Sequence, residues 1–136
     1  SRNFAERIGC PLAIVDKRRP RANECEVMNI IGEVAGKKVI LVDDMIDTAG
    51  TLCNAAQAVM VAGALSVTAC ASHGVLSGPA MERLAASPIE ELILLDTIGL
   101  PEEKRLPMVK VLSAAPVFAE AISRINEDRP VSPLFV

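Results

Sequence analysis

The chain has no tryptophan and no tyrosine, and its three phenylalanines leave only 2% of residues aromatic. That removes the stacking platforms on which single-stranded nucleic acids are held. A net charge of −3 over 136 residues gives no broad basic face for a duplex. Nucleic acid is therefore not an expected partner. No apolar run is long enough to span a bilayer, and no signal peptide is apparent, so no membrane partner is expected either. The four cysteines, Cys10, Cys25, Cys53 and Cys70, are far apart and form no C-x-x-C pair. They read as free thiols of a reducing compartment, which makes the expected location cytoplasmic. His73 is the only histidine and has no reason to act as base for any of those thiols, so thiol nucleophilic catalysis is not expected.

What is abundant is aliphatic. Just over half the residues, 51%, are hydrophobic, mainly valine, leucine, isoleucine and alanine. That composition suits a sheet covered by helices on both faces, and the length suits one domain, residues 1–136, with a sizeable core. Helix is expected from Asn3 to Ile8 and stops at Gly9. Strand is expected from Pro11 to Val15, a polar loop from Asp16 to Asn23 and a further strand from Glu26 to Ile31, the two strands flanking a mobile hairpin. After a turn at Gly32 to Gly36, Lys38 to Val42 is the expected central strand, followed by a helix from Thr51 to Ala62 that ends at Gly63. Strand from Leu65 to Ala71, helix from Pro79 to Ala86 and strand from Ile89 to Leu95 follow. A charged loop from Leu100 to Pro107, strand from Met108 to Leu112 and helix from Pro116 to Asn126 complete the pattern, with an irregular tail. Alternating strands and helices predict βαβ units and a largely parallel sheet, an α/β fold. The opening helix has no strand before it, as expected of a piece cut from a longer chain.

The densest chemistry lies in Val39-Ile-Leu-Val-Asp-Asp-Met-Ile-Asp-Thr-Ala-Gly-Thr51. An apolar run ends in two adjacent carboxylates, and a third carboxylate, a glycine and two threonines lead into a helix. The ordinary account is a solvated capping cluster, since aspartate is a good N-cap. Two carboxylates directly after a buried run exceed what capping needs. Free N–H groups at a helix start hold phosphate, aided by the helix dipole. Gly50 lets the backbone approach, and the Thr48 and Thr51 hydroxyls add hydrogen bonds. Asp43 and Asp44, at the carboxyl end of a strand, are placed to accept hydrogen bonds from sugar hydroxyls. A ribose 5-phosphate matches both ends.

This loop resembles the phosphoribosyl-diphosphate (PRPP) binding loop of the type I phosphoribosyltransferase fold. Alone, it leaves base-transferring enzymes and PRPP synthetases open. Ala13-Ile-Val-Asp-Lys-Arg-Arg-Pro-Arg-Ala-Asn-Glu24 decides between them, because it resembles the catalytic flexible loop of the ribose-phosphate pyrophosphokinases, the PRPP synthetases. Ser72-His-Gly-Val-Leu-Ser-Gly-Pro-Ala80, Leu100-Pro-Glu-Glu-Lys-Arg105 and Ala115-Pro-Val-Phe-Ala-Glu-Ala-Ile122 are similar to the same family. The resemblance covers this whole chain but only the C-terminal half of the family's enzymes.

The resemblance implies diphosphoryl transfer from ATP to ribose 5-phosphate, giving PRPP and AMP. It implies Lys17 and Arg19 as the catalytic pair, Asp43 and Asp44 as ligands of the ribose 2- and 3-hydroxyls, and Asp47, Thr48, Ala49, Gly50 and Thr51 as the 5-phosphate cradle. It also implies Mg²⁺ as cofactor, held mainly by substrate oxygens, with no metal ligand assigned to this chain. Implied partners are the N-terminal half of the same enzyme and further copies in a homo-oligomer, a hexamer. A solvated basic loop is the ordinary fate of Lys17 to Arg21, and Arg18 and Arg21 receive no role. His73 reads as a satisfied turn residue. Ser77-Gly-Pro79 reads as a helix start able to meet an anion, and Asp96-Thr97 as a turn cap. Two alternatives remain: a nucleobase phosphoribosyltransferase, which shares the acidic loop but not the basic segment, and a non-catalytic synthetase-associated subunit, which would not need both sets intact. The tail departs from the family's Ser-x-Ser-x-Leu-Phe ending, with Pro130 at the first serine, which removes a hydroxyl from the region linked to regulation by ADP and phosphate.

Overall fold

Apolar residues at every second position place β-strands through the middle of the chain, and the computed structural model, which describes residues 2–18 and 27–135, builds them into a four-stranded parallel sheet. Its strands are β3 (Lys38–Ile46), β4 (Ser66–Gly74), β5 (Ile89–Leu95) and β6 (Val109–Leu112), side by side in chain order. A separate antiparallel pair is formed by β1 (Ile14–Arg18) and β2 (Val27–Ile31). Four helices accompany them: α1 (Arg2–Ile8), α2 (Gly50–Val61), α3 (Ala80–Ala85) and α4 (Ala115–Asn126). Short 3-10 turns occupy Glu102–Lys104 and Ser132–Phe135, the second within the tail expected to be irregular.

The core forms where α2 lies on the sheet. Leu52, Ala55, Ala56 and Val59 recur at helical spacing and are buried. Leu52, Ala56 and Val59 share one buried cluster with β4, where Val67, Ala69 and Ala71 alternate with half-buried Thr68 and Cys70. Alanine on both sides lets the helix backbone come close to the strand. Leu92 and Leu94 of β5, Leu84 of α3 and Leu76 fill the rest of that layer. Gly63, at φ +94°, ends α2 in a conformation that suits a residue without a Cβ, and its carbonyl accepts from Gly36 N–H at 2.8 Å.

Three expectations need correction. The segment from Lys38 was expected to be the central strand, ending at Val42. It is the outer strand of the four, and β4 and β5 are interior. It also continues through Asp43, Asp44 and Met45 to Ile46, because its ladder to β4 runs as far as Ile46↔Gly74. Backbone pairing is indifferent to carboxylates when the side chains reach solvent, as those of Asp43 and Asp44 do. Second, Asp16 to Asn23 was expected to be loop, yet β1 runs through Asp16, Lys17 and Arg18, which pair with Asn29, Met28 and Val27. The remainder of that loop, including Arg19 and Arg21, lies outside the described residues. Third, α2 begins at Gly50 rather than Thr51.

Leu92 is fully buried and Val61, at the end of α2, is 79% exposed. Leu92→Ala is expected to lower unfolding stability by about 2–5 kcal/mol through lost contacts and a residual cavity, and Val61→Ala by under about 0.5 kcal/mol. Urea unfolding followed by circular dichroism checks both.

Candidate sugar-phosphate site

Parallel strands in one sheet bring all their carboxyl ends to one edge, and polar side chains gather there. Asp43 and Asp44 come from β3, Ser72 and His73 from β4, Asp96 and Thr97 from just beyond β5, and Ser113 from just beyond β6. The Asp43 carboxylate accepts from the Asp44 N–H at 2.9 Å, which fixes its direction. Of the sugar-binding candidates, Asp43, Asp44, Asp47, Thr48 and Thr51 are exposed, Gly50 is half-buried and Ala49 is buried.

The turn Asp47-Thr48-Ala49 joins β3 to α2. Ala49 has φ +58° and ψ 3°, the left-handed region that costs an L-residue roughly 1–2 kcal/mol. It stands at the N-cap of α2 and provides no side-chain cap, so the first-turn N–H groups are not capped by their own N-cap residue. The capping account of Asp47 is thereby set aside, because its Oδ1 accepts instead from the Ser77 hydroxyl. A left-handed residue leading into a helix start forms a concave set of N–H groups suited to an anion.

The turn is held from the side by the segment linking β4 to α3. Val75 and Leu76 N–H groups donate to the Ile46 carbonyl at 3.0 and 3.1 Å, and Ser77 N–H donates to the Asp47 carbonyl at 3.0 Å. Arg83 of α3 donates from Nη1 to the Thr48 carbonyl at 2.9 Å. Lys104 Nζ donates to the Val75 carbonyl at 3.1 Å and steadies the segment from behind. Leu76, at φ +50°, also lies in the left-handed region, and its burial in the core holds it there.

His73 belongs to β4 rather than to a turn. Its Nδ1 lies 2.8 Å from Thr97 Oγ1, and that hydroxyl is 2.7 Å from the Ser72 carbonyl. The threonine has one proton, which goes to the carbonyl, so it accepts from His73 Nδ1–H. The neutral imidazole is thus fixed with its lone pair on Nε2. Asp96 accepts from Ala114 N–H at 2.7 Å and from the Ser113 hydroxyl at 2.6 Å, tying the end of β5 to the start of α4. These two hydrogen bonds, the backbone one foremost, hold its carboxyl below the ordinary carboxylate range.

A groove of about 640 Å³ lies beside the acidic pair, between α1, β1, β3 and α2, with Asp43 and Thr51 at one end and Leu12, Val15, Leu41 and Leu52 along it. Lys17 contributes its backbone to β1, and Arg19 falls outside the described residues. Of the acidic and turn candidates, Asp43 and Thr51 line this groove, while Asp44 follows Asp43 along β3 and Asp47, Thr48, Ala49 and Gly50 form the turn and helix start beyond it; the basic pair is placed only as far as the backbone of Lys17. Sequence reasoning missed Arg83. A signal was present, since Arg83 is the only lysine or arginine between Lys38 and Lys104. Among the described residues no helix is long and apolar enough to cross a membrane, and no three of histidine, cysteine, aspartate and glutamate gather as a cation site.

An α/β domain with an acidic strand end leading into an anion-ready helix start is the class that this geometry defines. Residues 3–136 match the phosphoribosyl synthetase-associated domain, and the chain belongs to that family. It is 64% identical to a ribose-phosphate pyrophosphokinase of Caldanaerobacter subterraneus over 99% of its own length and 43% of that protein's. It is 60% identical to a ribose-phosphate pyrophosphokinase of Clostridium acetobutylicum, over 99% of its length and 42% of the relative's. The crystal structure of phosphoribosylpyrophosphate synthetase from Mycobacterium smegmatis superposes with a TM-score of 0.84 at 40% identity, over 93% of this chain and 40% of the other. The chain thus spans less than half the length of these relatives, and it shares the fold of the corresponding part.

Two outcomes follow from the site chemistry. Because the Asp96 carboxyl titrates lower when folded than its ordinary 3.8, its stabilising contribution is present above that value and is lost as pH falls through the lower folded one. The melting temperature of Asp96→Asn should therefore fall short of the parent's above pH 3.8, and the gap should close below it, as read by thermal melts across the acid range. Burial pushes the Cys53 thiol up, partly offset by the Ser87 hydrogen bond and the Arg83 charge, and burial also raises Cys70. Cys10 is exposed. Peptide mapping after brief alkylation at neutral pH should find Cys10 modified before Cys53 and Cys70.

Proposed function

We propose that this chain is the C-terminal domain of a ribose-phosphate diphosphokinase and that its carboxyl edge binds ribose 5-phosphate. The observation that carries the reading is the Asp43–Thr51 geometry: two adjacent carboxylates in the C-terminal part of β3, two residues before its end, then a left-handed Ala49 opening the uncapped start of α2. The names of the relatives support the same reading. Asp43 and Asp44 accept from the ribose 2- and 3-hydroxyls. Asp47, Thr48, Ala49, Gly50 and Thr51 surround the 5-phosphate, with backbone N–H groups and the threonine hydroxyls donating to its oxygens.

In the proposed reaction the ribose 1-hydroxyl oxygen attacks the β-phosphorus of ATP. A bond forms between that oxygen and the phosphorus, the bond to the bridging α–β oxygen breaks, and AMP leaves with that oxygen. The hydroxyl proton is released. Lys17 and Arg19 stabilise the charge that builds on the transferring group, lysine as a compact point charge and arginine as a planar fork. Lys17 is the fourth residue of β1, and Arg19 follows that strand in the sequence.

Magnesium bound to the ATP phosphates supplies neutralisation and orientation of their oxygens. The donor chemistry fits an ion held mainly by substrate oxygens, since the exposed carboxylates of Asp43 and Asp44 would offer hard oxygen atoms beside it. The proposal extends to a cytoplasmic enzyme that is completed by its N-terminal half and assembles as a homo-oligomer, a hexamer. Alone, the present chain should bind ribose 5-phosphate and turn over little.

Isothermal titration of this chain with ribose 5-phosphate, with and without Mg²⁺, tests the site. Saturable binding is expected, and Asp43→Ala with Asp44→Ala should weaken it by at least about tenfold, as loss of charge-assisted hydrogen bonds requires. In the full-length enzyme, Lys17→Ala should lower kcat on the order of a hundredfold while KM for ribose 5-phosphate changes little. ATP-dependent AMP release from the full-length enzyme without any added nucleobase is expected; release of pyrophosphate from PRPP only when a nucleobase is added would favour a phosphoribosyltransferase and overturn the assignment.

A further inference from the structure

We propose that Arg83 is a positioning residue for the phosphate-binding turn, acting through the Thr48 carbonyl rather than on substrate. The inference rests on the reading of residues 47–51 as that turn. A trans peptide unit is planar, and its C=O and N–H point in opposite directions. Arg83 Nη1 holds the Thr48 oxygen at 2.9 Å, so the Ala49 N–H in the same peptide plane points away from α3. Ser77 N–H holds the Asp47 oxygen at 3.0 Å, which turns the Thr48 N–H away in the same manner. Two successive carbonyls are thereby drawn to the β4–α3 segment, and two successive N–H groups are presented on the opposite side. The left-handed Ala49 then carries the chain into the start of α2, whose first N–H groups have no intrahelical partner.

An anion on that side meets the Thr48 and Ala49 N–H groups instead of their neighbouring carbonyls. Were the Thr48 peptide to rotate, a carbonyl oxygen would face the phosphate and repel it. Arg83 suits this task for three reasons. It is the only lysine or arginine between Lys38 and Lys104, so no neighbouring lysine or arginine in that stretch substitutes for it. It stands on α3, which Ala80 and Leu84 bury against the core, so the guanidinium starts from a fixed base. It also lies against Gly50, where an added Cβ would stand 3.0 Å from Nη1, so the glycine lets the guanidinium sit close to the turn. Arg83 itself is exposed, so its replacement removes no core packing.

The test uses this chain, the variants Arg83→Met and Arg83→Lys, ribose 5-phosphate as the probe, and the amide resonances of residues 47–51. In Arg83→Met the Thr48, Ala49 and Gly50 amides should shift in the absence of ligand while those of β5 stay in place. The dissociation constant for ribose 5-phosphate should rise about tenfold with the melting temperature nearly unchanged, as expected for one lost charge-assisted hydrogen bond in a supporting contact. Arg83→Lys, which keeps a donor and the charge, should recover part of that loss. Unmoved amides and an unchanged dissociation constant in Arg83→Met would overturn the proposal and leave the site reading intact. Were Arg83→Met unfolded, Arg83→Ala would be read in its place, and parent-like amides and affinity there would overturn the proposal. Absence of saturable binding by the folded parent would instead defeat the site reading, and the amide shifts would still decide whether Arg83 orients the turn.

Discussion

The parallel pairing of β3 with β4 is the constraint on which the rest depends. It runs from Lys38↔Ser66 to Ile46↔Gly74, the full length of both strands. Because it does not stop at the carboxylates, Asp43 and Asp44 are held by a rigid ladder rather than by a loop. The same ladder brings the segment after β4 against the turn after β3, where Val75, Leu76 and Ser77 hydrogen-bond to Ile46 and Asp47. The acidic pair and the turn of the candidate site are thus fixed by one piece of sheet. A shift of register by one residue would send Asp43 to the other face and separate Ser77 from Asp47.

Strain is placed where this arrangement can bear it. Two non-glycine residues beside the site, Ala49 and Leu76, adopt left-handed conformations, and both are buried among core side chains. Apolar burial holds each backbone in a conformation that it would otherwise leave. The effect at Ala49 is to open the helix start, and at Leu76 to turn Ser77 toward Asp47. Core packing and site geometry are therefore one problem in this domain, solved by the alanine-rich contact of α2 with β4 and the leucines around it.

Much of this was legible in the sequence because the signals are local. The alternation in β4 and β5, the helical spacing of Leu52, Ala55, Ala56 and Val59, and the stop at Gly63 depend on neighbours within a turn or two. The acidic strand end and its glycine were visible for the same reason. The outer position of β3 was not, because an apolar Val39–Val42 run looks the same at an edge as in the middle of a sheet, and only topology separates the two. Nor was the role of the β4–α3 segment: Ser77 lies 30 residues from Asp47, and Arg83 lies 35 from Thr48. Such pairings follow from strand order, which no local pattern carries. His73 was read as a turn residue because Gly74 follows it, yet strand pairing continues through both.

The Thr97 relay at His73 has a consequence for the rim of the sheet. Nδ1 donates to Thr97, and Thr97 donates to the carbonyl of Ser72, the residue just before the histidine. The imidazole is therefore moored to its own strand through a hydroxyl that arrives from beyond β5, 24 residues further along the chain. Two neighbouring strands share the setting of one ring, so its aim is inherited from their pairing rather than chosen by the histidine alone.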